Sequence, residues 1–110
     1  MVQFKYIHHS CFMLTTEKDA IIFDPYLDGN PTGVKAEDIK VSHVLVTHNH
    51  GDHLGSAYAI AKNNNATFIS TAEVANAAAQ AGVKAFPMHL GGVLPFPFGK
   101  VRVTPAFHGS

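Results

Sequence analysis

Three histidines and an aspartate crowd into six residues of "THNHGDHLG", Thr47–Gly55. In extended chain, positions two apart project to the same side, so His48 and His50 can grip one ion. Gly51 permits a bend, beyond which Asp52 and His53 can face a second ion beside the first. Imidazole and carboxylate are the usual ligands of zinc and similar first-row metals. Drawn at random from this composition, the pattern arises with a chance of roughly 0.002 per chain, so an accidental loop of unconnected histidines is the weaker reading. Other schemes fit worse: the chain has no His-Glu-x-x-His helix, no cysteine pair and no Gly-x-Ser-x-Gly elbow.

The elements that must position this cluster are legible on both sides of it. "VQFKYIH" alternates with period two, "CFMLTT" follows, and "EKD" turns into "AIIFD", which together suggest an antiparallel meander over Val2–His8, Cys11–Thr16 and Ala20–Asp24. "DPYLDGNPTG" is a loop by composition. "HVLVT", His43–Thr47, is nearly continuous in apolar residues and reads as a strand buried on both faces. The cluster thus leaves the carboxyl end of a buried strand, where α/β proteins place their chemistry. After it, Leu54, Ala57, Tyr58 and Ala61 have helical spacing, ending in "KNNN". "ATFIS" reads as a further strand. Ser70 and Glu73 have capping-box spacing, opening a helix that would bury Val74, Ala77, Ala78 and Ala81 and stop at Gly82. "VKAFPMH" reads as a short strand, "LGGVLPFPFG" as turns and an edge, and "KVRVTPAF" alternates Val101 and Val103. The order is α/β, in one domain spanning 1–110.

Bulk properties narrow the partners. A chain of 110 residues, 46% hydrophobic and 15% charged, has the composition of a globular domain. Zero formal net charge and scattered Lys and Arg argue against nucleic acid as a partner. No apolar run approaches the roughly 18 residues of a membrane span. Cys11 is the lone cysteine, which suits a reducing cytoplasm.

"THNHGDHLG" resembles the His-x-His-x-Asp-His signature of the metallo-β-lactamase superfamily. "AIIFDPYL" is similar to the strand-ending Asp motif that precedes it, and "TPAFHGS" to the third histidine motif. "YIHHS", "FDPYLDGNP", "PMHLGG" and "FGKVRVTPAFHGS" resemble more closely the metal-dependent hydrolases related to ascorbate-6-phosphate lactonases. The resemblance implies a four-layer αββα sandwich, of which this chain supplies roughly the first αβ half. It implies that His48, His50 and His108 hold a first metal, and that Asp52 and His53 contribute to a second. The ions would be one or two zinc, or else manganese. Asp52 would also orient and deprotonate the attacking water. Asp24 would order the ligand loop, though an Asp before Pro at a strand end is also an ordinary turn starter. His9 would line the site.

The remaining candidates have bland readings. His8 is incidental, His43 starts a strand and is partly buried, and His89 matches "PMH" without a chemical role. Cys11 reads as a small buried apolar residue.

The implied activity is hydrolysis of a lactone, ester or phosphoester, with lactonase-like chemistry nearest. The alternative is a truncated, inert metal-binding fragment, because the bridging Asp and last His that the family places in its second half are not in this sequence. The nuclease branches fit poorly with zero net charge. Half a sandwich would leave one apolar sheet face uncovered, and an isolated half would pair with a second copy there or aggregate.

Overall fold

The structure, a computed structural model, describes residues 2–105. Six strands form one sheet in chain order: β1 (Gln3–His8), β2 (Cys11–Thr15), β3 (Ala20–Phe23), β4 (His43–Leu45), β5 (Thr67–Thr71) and β6 (Ala85–Met88). The first three are antiparallel, as short polar turns require. From β3 onward the pairing is parallel, with Ile22 opposite Val44 and Val44 opposite Phe68. Parallel neighbours need crossovers, and these supply a 3-10 turn (Ala36–Asp38) and the helices α1 (Gly51–Leu54), α2 (Ala57–Asn64) and α3 (Ala72–Gln80). The expected α/β architecture is present.

Strand alternation gives the sheet two unlike faces. One carries Cys11, Ile22, Val44 and Phe68, which pack with Ala57, Ile60 and Ala61 of α2 and Val74 and Ala78 of α3 into a buried core. The other carries Phe4, Phe12 and Phe23 in a ring ladder, with centroids 5.3 and 4.4 Å apart, followed by Leu45 and Ile69. A separate hairpin, β7 (Val93–Phe96) and β8 (Gly99–Arg102), lies over part of this face. Phe96 packs edge-on to Phe86, and Phe98 edge-on to His43. Between hairpin and sheet runs a largely apolar cavity of about 560 Å³. The "LGGVLPFPFG" segment holds turns and one strand of this two-stranded ribbon, which is all edge and so accommodates Pro95, in keeping with the expected turns and an edge.

Two local expectations are corrected. The helix expected from Leu54 onward is broken into α1 and α2 at Gly55, where φ is +48°. A Cβ there would meet the Pro25 carbonyl oxygen, with Tyr26 Cα only 2.7 Å away. The break lets the Ser56 N–H donate to Pro25 O at 3.0 Å, docking the helices on the loop after β3. The capping box at Ser70 does not form either. Ser70 remains in β5 and its hydroxyl donates to Val46 O at 2.7 Å, so Thr71 becomes the N-cap. The helix starts one residue later, and its buried face is Val74, Ala75 and Ala78, with Ala77 exposed and Ala81 half-buried. Gly82 does follow the helix with φ +87°.

His43 sits at the amino end of β4, 8% exposed, with Ser42 Oγ 2.8 Å from its Nδ1. Burial pushes its pKa below the ordinary value, opposed by Asp19 and reinforced by Lys84. The fold therefore favours neutral His43, and the unfolded chain takes up the proton first. Stability should be full above the unfolded value of about 6.5 and fall as pH drops below it. Denaturant titrations between pH 7 and 5 should show this slope, flattened in His43→Phe. Gly55→Ala should cost about 1–3 kcal/mol from backbone conformation alone. That is read as a Tm drop of about 4–8 °C per kcal/mol.

Candidate metal centre

Parallel strands β3 to β6 end on one edge of the sheet, and the antiparallel β1–β2 turn returns to that same edge. Asp24 follows β3 directly and is 3% exposed, with φ +42°. A carboxylate this deep needs donors, and it has three. The Thr47 N–H donates to Oδ1 at 2.7 Å, the Thr47 hydroxyl to Oδ2 at 2.7 Å, and His53 Nδ1 lies 2.9 Å from Oδ2.

These contacts set the protonation of two imidazoles. A carboxylate only accepts, so His53 Nδ1 carries the hydrogen and Nε2 the lone pair. The Thr47 hydroxyl spends its one hydrogen on Asp24. His48 Nδ1, 2.8 Å from Thr47 Oγ1, must therefore donate to it, and its lone pair is also on Nε2. Metal-binding histidines are prepared in this way, with the far nitrogen tied to a carboxylate or its relay. Asp24 thus ties the segment after β4 to the end of β3, while the turn after β3 is closed by the Tyr26 N–H donating to Asp24 O at 2.7 Å.

The rings gather closely. His48 lies 4.1 Å from His53 and 4.6 Å from His50, centroid to centroid. His50 is the N-cap of α1, so its φ of −63° and ψ of 143° are still extended while the next residue is helical. Asp52 stands exposed in the first turn of α1, where the helix dipole favours a carboxylate. Its Oδ1 is 3.8 Å from His53 Nε2 and its Oδ2 is 3.1 Å from His9 Nε2. Desolvation is the largest single influence and raises the Asp52 pKa, but the His9 hydrogen bond, electrostatic attraction to His53 and His9 and a backbone hydrogen bond together outweigh it, and the group sits below its ordinary value. Buried Cys11 behaves oppositely. Burial first, then the Asp24 charge, pushes its thiol up to about 12, so it is an inert core residue.

The structure brings together His9, Asp24, His48, His50, Asp52 and His53. His108 lies outside the described residues. His43 is at the opposite end of the strands, and His8 stacks on Tyr26 with ring centroids 5.8 Å apart. His89 lines an adjoining cavity of about 730 Å³ that also reaches His48 and Glu73. Thr47 and Tyr26 were not foreseen. Thr47 connects Asp24 to His48, and Tyr26 walls His9 at 5.9 Å. A hydroxyl residue just before the first histidine was the available signal for Thr47; nothing local marks Tyr26. The donor set fits a divalent first-row metal: ligand atoms of His9, Asp52 and His53 lie within 4.8 Å of one another.

Known proteins share this arrangement of sequence and fold. The family model described as the metallo-beta-lactamase superfamily matches residues 6–109. A UPF0173 metal-dependent hydrolase of Natranaerobius thermophilus is 52% identical over 110 residues, covering 99% of this chain and 50% of the relative. Another, from Bacillus mycoides, is 47% identical over 111 residues, covering 100% of this chain and 49% of its own. The chain spans about half the length of the curated relatives it matches. Among solved structures, Igni18, a metallo hydrolase of Ignicoccus hospitalis, superposes with a TM-score of 0.86 at 29% identity, covering 97% of this chain and 49% of that one. A metal-dependent hydrolase structure from Parabacteroides distasonis shares the fold at 23% identity and TM-score 0.76, over 96% of this chain and 46% of that one.

Replacing Asp24 tests the network directly. Asp24→Asn presents amide hydrogens to Thr47 and His53, which are themselves donors. The variant should bind metal about 10–100-fold more weakly, as loss of such orienting partners does. It should also lose about 1–3 kcal/mol of stability from the buried mismatch. Chelator competition and thermal unfolding measure the two effects separately.

Proposed function

The chain belongs to the metallo-beta-lactamase superfamily, and on that premise we propose that its protein is a metal-dependent hydrolase of small molecules. The observation that carries this reading is Asp24, which holds His53 directly and His48 through Thr47, so that each ring is tied through Nδ1. In this proposal His48, His50 and His108 hold one ion, while Asp52 and His53 contribute to a second. Zinc is the first choice, and manganese the second, for an imidazole–carboxylate set. The names of the relatives and of the aligned structures support metal dependence and hydrolysis.

Bound there, the metal would supply Lewis acidity and a water acidic enough to react near neutral pH. The chain supplies the rest. Asp52, exposed and anionic, accepts the water's hydrogen bond and takes its proton at a carboxylate oxygen. His48 and His50 orient the loop on one side, and His53 fixes the opposite wall. The Asp24–Thr47 bonds keep these groups from rearranging as charge develops, which is how a site lowers a barrier by preorganisation. The substrate class is a lactone, ester or phosphoester. Lactonase-like chemistry is the finer proposal and rests on motif resemblance.

Among the described residues no helix is long and apolar enough to cross a membrane. The lone, buried Cys11 suits a reducing compartment, and the cytoplasm is the proposed location. The apolar sheet face bearing Phe4, Phe12 and Phe23 would take a second apolar layer, from the rest of the protein or from a second copy.

Metal content per chain after purification without added metal tests the reading. His48→Ala and His50→Ala should each lower bound metal by at least about tenfold in affinity. Unchanged stoichiometry and affinity in both would overturn the assignment. Metal retained without hydrolysis of lactone, ester or phosphoester probes would favour a binding fragment over an enzyme.

A further inference from the structure

His9 does not belong to the contiguous cluster, yet it is the residue that touches Asp52. We propose that His9 is a protein ligand of the second metal position, completing a His9–Asp52–His53 set built wholly within these residues. This deepens the hydrolase reading and rests on it.

The geometry of the carboxylate points this way. Asp52 turns one oxygen to each imidazole, Oδ2 to His9 Nε2 at 3.1 Å and Oδ1 to His53 Nε2 at 3.8 Å. Because the carboxylate only accepts, His9 Nε2 carries the hydrogen in this metal-free arrangement, and an ion held between the two groups takes that hydrogen's place while Nδ1 carries the ring's remaining proton. The lone pair of His53 is already assigned to Nε2 by Asp24. The three donor atoms lie within 4.8 Å of one another, and the His9 and Asp52 side chains are 42% and 50% exposed, free to draw in around an ion. Two imidazoles and one carboxylate suit a borderline first-row cation better than magnesium or calcium.

The backbone supplies an independent reason. His9 has φ +54° in the tight β1–β2 turn, a conformation that Gly or Asn adopts at less cost. A register shift between Tyr6 and His8 re-aims the turn. The Tyr6 hydroxyl then donates to His9 O at 2.7 Å, and Tyr26 meets the His9 ring edge-on. An exposed ion pair with Asp52 stabilises too weakly to explain a strained histidine held by two tyrosines. A ligand role explains both the residue and its restraint.

The test loads the protein with cobalt(II) and counts paramagnetically shifted imidazole N–H resonances. His9→Asn keeps a residue suited to the turn. The expected result is loss of one shifted resonance, a second cobalt equivalent bound at least about tenfold more weakly, and an unchanged or raised Tm of the metal-free protein. A full count of resonances in His9→Asn, whatever its affinity, would show that His9 acts only by positioning Asp52 and overturns the inference. A lowered metal-free Tm, or a wild-type protein that binds one cobalt only, overturns it as well. His53→Ala separates the two levels. If it loses the second equivalent and His9→Asn does not, only the His9 assignment fails. If neither His53→Ala nor His48→Ala affects cobalt binding, the hydrolase reading itself fails.

Discussion

A buried carboxylate must be answered by donors, and that requirement at Asp24 organises the rest of this molecule. Its two oxygens collect a backbone N–H, a hydroxyl and an imidazole from residues 23 and 29 positions away in sequence. Each donor belongs to the segment that leaves β4, so satisfying the carboxylate and shaping the ligand loop are one event. A core carboxylate without such partners would cost several kcal/mol. Here the same bonds hold two histidines in the tautomer a metal requires. Stability and chemistry draw on one set of contacts.

The cluster itself was readable because its residues are contiguous, and because strand and helix periodicities bracket them. The antiparallel meander and the alternation of strand and helix after it followed from residue spacing and turn composition; that β1 to β6 lie in one sheet in chain order did not. Other features depend on contacts that a linear reading does not contain. Ser70 has the spacing of an N-cap, but Val46 O lies across the sheet and takes its hydroxyl, so the helix begins at the next residue. Leu54, Ala57, Tyr58 and Ala61 keep helical spacing through a break that exists only because Pro25 and Tyr26 approach Gly55. His9 is 43 residues from Asp52, and its role emerges from where an antiparallel turn lands beside a parallel edge. Local patterns found the elements; long-range packing decided their ends.

The sheet divides labour between its faces. The helix-covered face is closed by aliphatic residues and gives the strands a rigid backing. The opposite face is aromatic, and the β7–β8 hairpin covers only part of it, resting on His43 and Phe86. The relatives are about twice as long as this chain, and a second sheet from such a length would meet this face. The candidate metal centre lies at the strand ends, at the border between the two faces, so the loops that surround it can vary without disturbing either.

A one-residue slip between β3 and β4 would exchange the aliphatic core side chains for those of the aromatic face, and the close-packed core would reject the change of shape. A two-residue slip keeps every side chain on its proper face, so hydrophobicity alone is nearly blind to it. It would, however, carry Asp24 about 7 Å along the strand, away from Thr47 and His53. The carboxylate would then be buried with its donors out of reach. Asp24 therefore serves as a checksum on strand alignment, and a chain that assembles out of register would lose its ion site along with its stability.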